Sequence, residues 1–376
     1  MLAVTLAKGV GANREESLKM KKTLSILLSA IFAVTTSGLT YACALIMSTS
    51  DQGTYIGRTM EWFGPIKPKI AIYPRNYPGS DAKSSLKWVS KYGVLTIEDS
   101  ESNGNIVITE GINEKGLTAH ILVQEDARMP GHAQNKPDVD FLVWVRYVLE
   151  TNATVSEAIA DLKNYQIRLR EGDYNGVTVK IAQHYALMDA TGDAAVIEFN
   201  QGKLEVFHGA QYNVLTNAPN LPEQLKNLKK IRSEKKQYSV AHLPGGADAM
   251  NRFVRGSFYM ETMPRPDTSA RAVAYMEEAI DAMSVPPFDT SKEPKRLLDS
   301  LTDHLASLVT GLPPSMLDDA WEARWRVVYD LRKMNVYFTE TYSGRKVYLR
   351  LNEMDFSGDK VNYIDIQDVK SDFDLP

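Results

Sequence analysis

Thr40-Tyr41-Ala42-Cys43-Ala44-Leu45-Ile46-Met47 holds the only cysteine of the 376-residue chain. Lys21-Lys22, an apolar run at 24–34 and the small polar stretch Thr35-Thr36-Ser37-Gly38 precede it. Thr40 and Ala42 put small residues at the two positions a signal peptidase reads. Cleavage after Ala42 makes Cys43 the new N-terminus and puts a thiol and a free α-amine on one residue. The thiolate is a nucleophile, and an amine of pKa about 8 can take its proton. Residues 1–42 are therefore expected to be a removed leader and signal peptide. Met20-Lys21-Lys22 reads as the natural start, with 1–19 upstream of it. The expected destination is outside the cell or the periplasm.

The apolar run is too short for a membrane span, and no later stretch is long enough, so no membrane insertion is expected after cleavage. Losing residues 1–42 removes five Lys/Arg and two Glu, which takes the formal net charge from −4 to −7. A mildly acidic chain without a basic patch interleaved with aromatics gives no sign of nucleic-acid binding. One cysteine cannot form an internal disulfide, so an exported chain of this kind depends on its core. With 44% hydrophobic residues, that core is available.

Strand-like runs at 44–47 and 54–60 flank the turn Ser50-Asp51-Gln52-Gly53. Further strands are expected at 88–96 and 105–109. Asn113-Glu114-Lys115-Gly116 then turns into the apolar run 117–123. Phe141, Trp144, Tyr147 and Val148 recur at helical spacing, which predicts a buried helix over 139–150. Thr154-Val155-Ser156-Glu157 is a capping box opening a second helix to about 162. Strands return at 184–188, 194–200, 203–207 and 214–217, where Ala218-Pro219 breaks the run. Residues 222–239 read as a charged loop, 269–283 and 294–307 as helices, and 324–330, 335–341 and 346–351 as closing strands. Strands in two groups with helices between them predict one layered α+β domain over 43–376.

Arg58 and Glu61 come 15 and 18 residues after Cys43, and the hairpin folds them back toward it. An arginine there favours thiolate, and a carboxylate holds an α-ammonium. The same spacing also fits an ordinary charge pair on a hairpin surface. Asn217, at a strand end, is able to donate to an oxyanion or to serve as a turn residue. Arg252 reads as a loop arginine with the same ambiguity. The six histidines show no metal-ligand spacing, and neither a Gly-x-Ser-x-Gly elbow nor a phosphate loop is present.

Several segments in order carry a resemblance: Ala42-Cys43, Gly57-Arg58-Thr59-Met60-Glu61-Trp62, Gly111-Ile112-Asn113-Glu114-Lys115-Gly116-Leu117, Leu215-Thr216-Asn217-Ala218-Pro219, Leu243-Pro244-Gly245-Gly246, Asn251-Arg252-Phe253-Val254-Arg255 and Tyr329-Asp330-Leu331-Arg332. Together they resemble the choloylglycine hydrolase family of linear amide C–N hydrolases, which includes bile salt hydrolases and penicillin V acylases. The resemblance implies a four-layer αββα sandwich of the N-terminal nucleophile hydrolase type and an amidohydrolase that uses no metal or cofactor. It implies Cys43 as nucleophile and base, Arg58 beside the thiolate, Asn217 as oxyanion donor and Arg252 completing the polar network. Glu61 stands where the family usually has Asp, adding a methylene. Val123 aligns with a pocket position that is Asn or Tyr in many members, leaving its backbone N–H for the oxyanion hole.

The segment between Asn217 and Arg252 is shorter than in Gram-positive bile salt hydrolases. With the export signal and Trp62, this leans toward the Gram-negative branch, which resembles penicillin V acylases and acyl-homoserine-lactone acylases. Trp62, Phe63 and Val123 suit an aromatic or acyl-chain pocket and equally suit core packing. The expected partner is a small amide with an apolar acyl group, and family members often form homotetramers. The alternatives are a bile salt hydrolase, an inactive homologue, and a lipid-anchored binding protein made by modification of Cys43, against which Tyr41 argues.

Overall fold

The computed structural model describes residues 43–62, 66–81, 86–99, 106–169, 172–174, 177–179, 182–234, 236, 238–287 and 322–366. The leader at 1–42, Phe63, His304 and the helix expected at 294–307 lie outside them.

Strands β1 (Ala44–Ser50) and β2 (Gly53–Trp62) form the expected antiparallel hairpin. Gly53 closes its turn at φ 131°, where a Cβ would also meet the Arg332 Cβ at 2.7 Å. Both facts require glycine there. The chain continues through β3 (Pro68–Tyr73), β4 (Pro78–Ser80), β5 (Lys87–Val89), β6 (Val94–Asp99), β7 (Val107–Asn113), β8 (Thr118–Val123) and β9 (Asp138–Asp140). Helices α1 (Phe141–Thr151) and α2 (Val155–Asp161) follow, then β10 (Gln166–Arg168), β11 (Gly172–Tyr174) and β12 (Val177–Val179). Next come β13 (Gln183–Met188), β14 (Ala194–Asn200), β15 (Lys203–His208) and β16 (Val214–Thr216). Helices α3 (Leu221–Ser233), α4 (Ala249–Thr262) and α5 (Ser269–Asp281) precede β17 (Glu322–Asp330), β18 (Asn335–Glu340), β19 (Lys346–Arg350) and β20 (Asn362–Ile364).

Six strands form one sheet in the order β16-β1-β2-β17-β18-β19, and eight form a second, β15-β14-β13-β8-β7-β6-β3-β20. One apolar cluster joins side chains of both sheets, among them Leu45, Leu215 and Val327 from the first and Leu122, Ala186 and Val196 from the second. Helix α1 covers β7 and β8, while α4 and α5 cover β1, β2, β16 and β17. The result is four layers, helix–sheet–sheet–helix, as the resemblance implies. Among the described residues no helix is long and apolar enough to cross a membrane.

Three segments differ from expectation. The run 88–96 is two strands, because the Lys91 and Tyr92 N–H groups turn aside to the Glu150 carbonyl at the end of α1 (2.7 and 3.3 Å). Residues 222–239, expected as loop, contain most of α3. Asn220 caps this helix from its side chain, and Pro222 sits in the first turn, where a missing N–H costs nothing. Arg252, expected on a loop, lies inside α4 and is completely buried. The Thr154 cap forms as expected, accepting from the Glu157 N–H. Glu157 reaches back to the Ala153 N–H instead of that of Thr154.

Candidate active site

Strand alternation divides the site between two faces of the six-stranded sheet. Cys43, Arg58, Met60 and Trp62 point toward the second sheet, and Thr59 and Glu61 point toward the helices. Cys43 is buried, with its backbone at φ 37° in the left-handed region that non-glycine residues rarely adopt. Its Sγ lies 3.8 Å from Arg58 Nη2, 3.6 Å from Met60 Sδ and 3.9 Å from the Glu61 carbonyl oxygen. Burial pushes the thiol pKa up, and the nearby Arg58 guanidinium offsets this only in part. The thiol therefore needs a base to become a nucleophile.

Arg58 is held from the second sheet. Its Nη1 donates to Glu110 Oε1 (2.6 Å) and to the Thr109 carbonyl (3.3 Å), and its Nη2 donates to the Ile121 carbonyl (2.7 Å). β7 and β8 are paired as far as Glu110 and His120. The guanidinium enters where that ladder ends and satisfies the carbonyls the parted strands leave over. Glu110 also accepts from Trp325 Nε1 (2.9 Å) and Tyr329 Oη (2.8 Å), both on β17. His120 Nδ1 stands 3.6 Å from Glu110, and burial lowers its pKa, which keeps the ring neutral. Burial opposes ionisation of Glu110, yet the Arg58 charge and the hydrogen bonds outweigh it and hold the pKa down at about 2.

This pKa has a measurable consequence. A carboxylate depressed from 4.5 to about 2 contributes stability that is complete above its ordinary value and is lost as pH falls through that interval. Glu110→Gln is expected to lower the melting temperature at pH 7, where Arg58 loses its counter-charge. It is also expected to flatten the decline of melting temperature between pH 4.5 and 2 relative to wild type. Parallel curves for the two proteins over that range would contradict this assignment.

On the helix face, Glu61 accepts from Thr59 Oγ1 (2.8 Å), Arg252 Nη2 (3.1 Å) and the Val285 N–H (3.3 Å). Arg252 also donates through Nε to the Met283 carbonyl (2.6 Å) and through Nη2 to Thr59 Oγ1 (3.2 Å). Thr59 Oγ1 accepts from the Ala44 N–H (3.1 Å). An unbroken polar chain thus runs from Arg252 and Glu61 to the first peptide beyond Cys43.

Asn217 completes the front of the site. Ala44 pairs with Thr216 across β1 and β16, so the antiparallel register sets Asn217 opposite Cys43, on the same face. Asn217 is fully buried, and neither its Nδ2 nor its Oδ1 has a hydrogen-bond partner among the described residues. A buried amide is normally satisfied, so an unmatched one facing a thiol is a donor awaiting an acceptor. Val123 lies alongside, its carbonyl accepting from the Ala218 N–H (3.1 Å). The Gln124 N–H goes to the Ala182 carbonyl (2.8 Å), which makes Val123 and Gln183 a non-hydrogen-bonded pair. The Val123 N–H therefore points away from β13, toward the Asn217 side. Trp62 is half-buried against the inter-sheet core.

The structure thus gathers Cys43, Arg58, Glu61, Asn217 and Arg252 around one strand end, with Val123 beside Asn217. Glu110 carries no motif that marks it in the sequence, and Thr59, though inside the Gly57–Trp62 segment, carries no local sign of a role. The one local signal for Glu110 is that it is the single charged residue of its strand. No cluster of three or more metal-ligating side chains occurs among the described residues.

A buried cysteine at a strand end, flanked by an arginine and an amide, lies between the two stacked sheets of a sandwich of the N-terminal nucleophile hydrolase fold. The match to linear amide C–N hydrolases of the choloylglycine hydrolase family spans residues 43–293 and starts at the cysteine itself. The chain belongs to that family. It is 28% identical over 310 residues to a penicillin V acylase of Pectobacterium atrosepticum, covering 80% of this chain and 77% of the relative. The solved penicillin V acylase of Agrobacterium tumefaciens superposes with a TM-score of 0.67 at 26% identity, covering 86% of this chain and 90% of that one. A mutant of the conjugated bile acid hydrolase of Clostridium perfringens superposes at 0.69 with 18% identity, covering 86% and 96%, which is a likeness of fold.

Proposed function

We propose that the chain is exported, cut after Ala42, and hydrolyses acyl amides through the freed Cys43. The observation that carries this reading is the buried thiol facing the unmatched Asn217 amide, with Arg58 at 3.8 Å. The α-amine takes the thiol proton and Sγ attacks the amide carbonyl. Asn217 Nδ2 and the Val123 N–H receive the oxyanion. The α-ammonium then protonates the departing amine as the tetrahedral adduct collapses to a thioester. Water, deprotonated by the same amine, releases the acid and regenerates the thiol. Glu61, braced by Thr59 and Arg252, supplies the negative charge that holds the ammonium form between these steps.

The substrate class is inferred from the side chains beside the site and from the relatives. Trp62 and Val123 offer apolar surface beside the site, suited to a phenoxyacetyl group or an acyl chain. The two penicillin V acylases are 28% and 26% identical to this chain over the matched lengths, against 18% for the bile acid hydrolase, which favours that branch over bile salt conjugates. A long-chain acyl-homoserine lactone offers the same apolar acyl part and is the second substrate to test. The Cys43-initiated protein is to be given penicillin V, a long-chain acyl-homoserine lactone and glycodeoxycholate together, with free acids read by mass spectrometry. Release of phenoxyacetic acid or of the fatty acid is the expected result. Release of deoxycholate alone would move the enzyme to the bile salt branch, and a mature N-terminus other than Cys43 would remove the proposed base.

A further inference from the structure

An oxyanion donor must be aimed to within a fraction of an ångström, yet no hydrogen bond from the described residues fixes the Asn217 side chain. Its aim has to come from its backbone. β16 ends at Thr216, so the ladder that fixes the strand stops one residue short. Beyond it, the side chain of one residue, Gln224, gathers the connecting loop. Gln224 lies in the first turns of α3 and is fully buried. Its Nε2 donates to the carbonyls of Thr216 (3.2 Å), Asn217 (2.7 Å) and Pro219 (2.5 Å), and its Oε1 accepts from Thr216 Oγ1 (2.9 Å). α3 is itself anchored, because Glu198 Oε1 accepts from the Leu221 N–H (2.8 Å). On the far side, the Val123 carbonyl holds the Ala218 N–H. The Asn217 peptide is therefore gripped from both flanks.

We propose that Gln224 is a positioning residue for the oxyanion hole, acting on catalysis through the backbone of Asn217. This rests on the hydrolase reading above. Two consequences separate it from general support of the fold. First, losing Gln224 should reduce kcat and leave KM nearly unchanged, since the oxyanion exists only after attack. Second, it should matter only while Asn217 is present to be aimed.

The experiment is a double-mutant cycle on the Cys43-initiated enzyme with Gln224→Met, Asn217→Ala and the pair, assayed on the amide that wild type turns over best. Gln224→Met keeps length and removes both donors. A loss in kcat of about 30-fold is expected in the wild-type background, a share of the roughly 100-fold or more that an oxyanion donor contributes. Less than about 2-fold is expected in the Asn217→Ala background, where no donor remains to be aimed. Iodoacetamide alkylation of Cys43 forms no oxyanion, so its rate should be equal in wild type and Gln224→Met. Thr216→Val removes the hydroxyl that Gln224 accepts from, which also reaches the Ala249 carbonyl (2.9 Å). It is expected to give a smaller kcat loss in the same direction, and it carries the test if Gln224→Met does not fold. The proposal is overturned if Gln224→Met costs the same factor in both backgrounds, if alkylation slows in parallel with kcat, or if Thr216→Val, tested alone, leaves kcat unchanged. Wild-type turnover with additive losses would defeat this inference alone. A wild type that releases no acid from any amide would defeat the hydrolase reading and this inference with it.

Discussion

Cys43→Ala protein is expected to release acid at the rate of buffer alone, a loss of at least about 10⁴-fold, while folding and melting like wild type. The magnitude follows from what the side chain does. In the proposed mechanism it forms the covalent bond that divides hydrolysis into two easier steps, and no other cysteine exists to replace it. The fold should be indifferent, because the thiol makes only long contacts to sulfur, a carbonyl and a guanidinium. Acid release by mass spectrometry, set beside a thermal melt, checks both halves. Cys43→Ser sharpens the test, since a buried hydroxyl is far harder to deprotonate and should also be nearly silent. Persistent turnover in the alanine protein would remove Cys43 from the mechanism altogether.

Asn217→Ala comes second, with an expected fall in kcat of about 10²–10³-fold and a change in KM of less than about 3-fold. A buried amide without partners contributes little to binding a ground-state carbonyl and much to an oxyanion. The substitution has an unusual second signature. Deleting a buried polar group normally orphans its partners, but here neither amide atom has one. The variant should therefore be at least as stable as wild type while being a far poorer catalyst. Steady-state kinetics and a denaturant melt on the same preparation separate the two effects. A coupled loss of stability and activity would show that Asn217 serves structure instead.

The hairpin carrying Cys43, Arg58 and Glu61 is legible because its determinants are local: two strand-like runs and the four-residue turn between them. Asn217 was legible as a strand-end residue, but its position opposite Cys43 depends on pairing between distant parts of the chain and could be fixed only by the resemblance. Arg252 was misplaced on a loop because Leu243-Pro244-Gly245-Gly246 dominates its neighbourhood. The helix nevertheless starts two residues after the second glycine, at the Asp248 cap, whose side chain accepts from the Asn251 N–H. The charged stretch after Pro222 concealed α3 in a similar way. Yet Leu221, Leu225, Leu228 and Ile231 fall at helical spacing, and Asn220-Leu221-Pro222-Glu223 is a helix start. Gln224 has no local signal, and Glu110 only that of a lone charge within a strand. Each acts through groups on other elements, and a single sequence without its fold does not say which carbonyls a buried side chain will meet.

The division of β2 into two faces has a consequence for how such a gene can change. Arg58 serves the thiol from one side of the strand, and Thr59 and Glu61 serve the N-terminal end from the other. Because the alternation has a period of two, one residue inserted or deleted between Gly53 and Gly57 would exchange the faces. It would bury the guanidinium among helices and aim the carboxylate at the sulfur. The same insertion at Asp51-Gln52, in the turn, would leave both faces as they are. Length variation among descendants of this chain should thus be tolerated at the hairpin tip and purged a few codons further on.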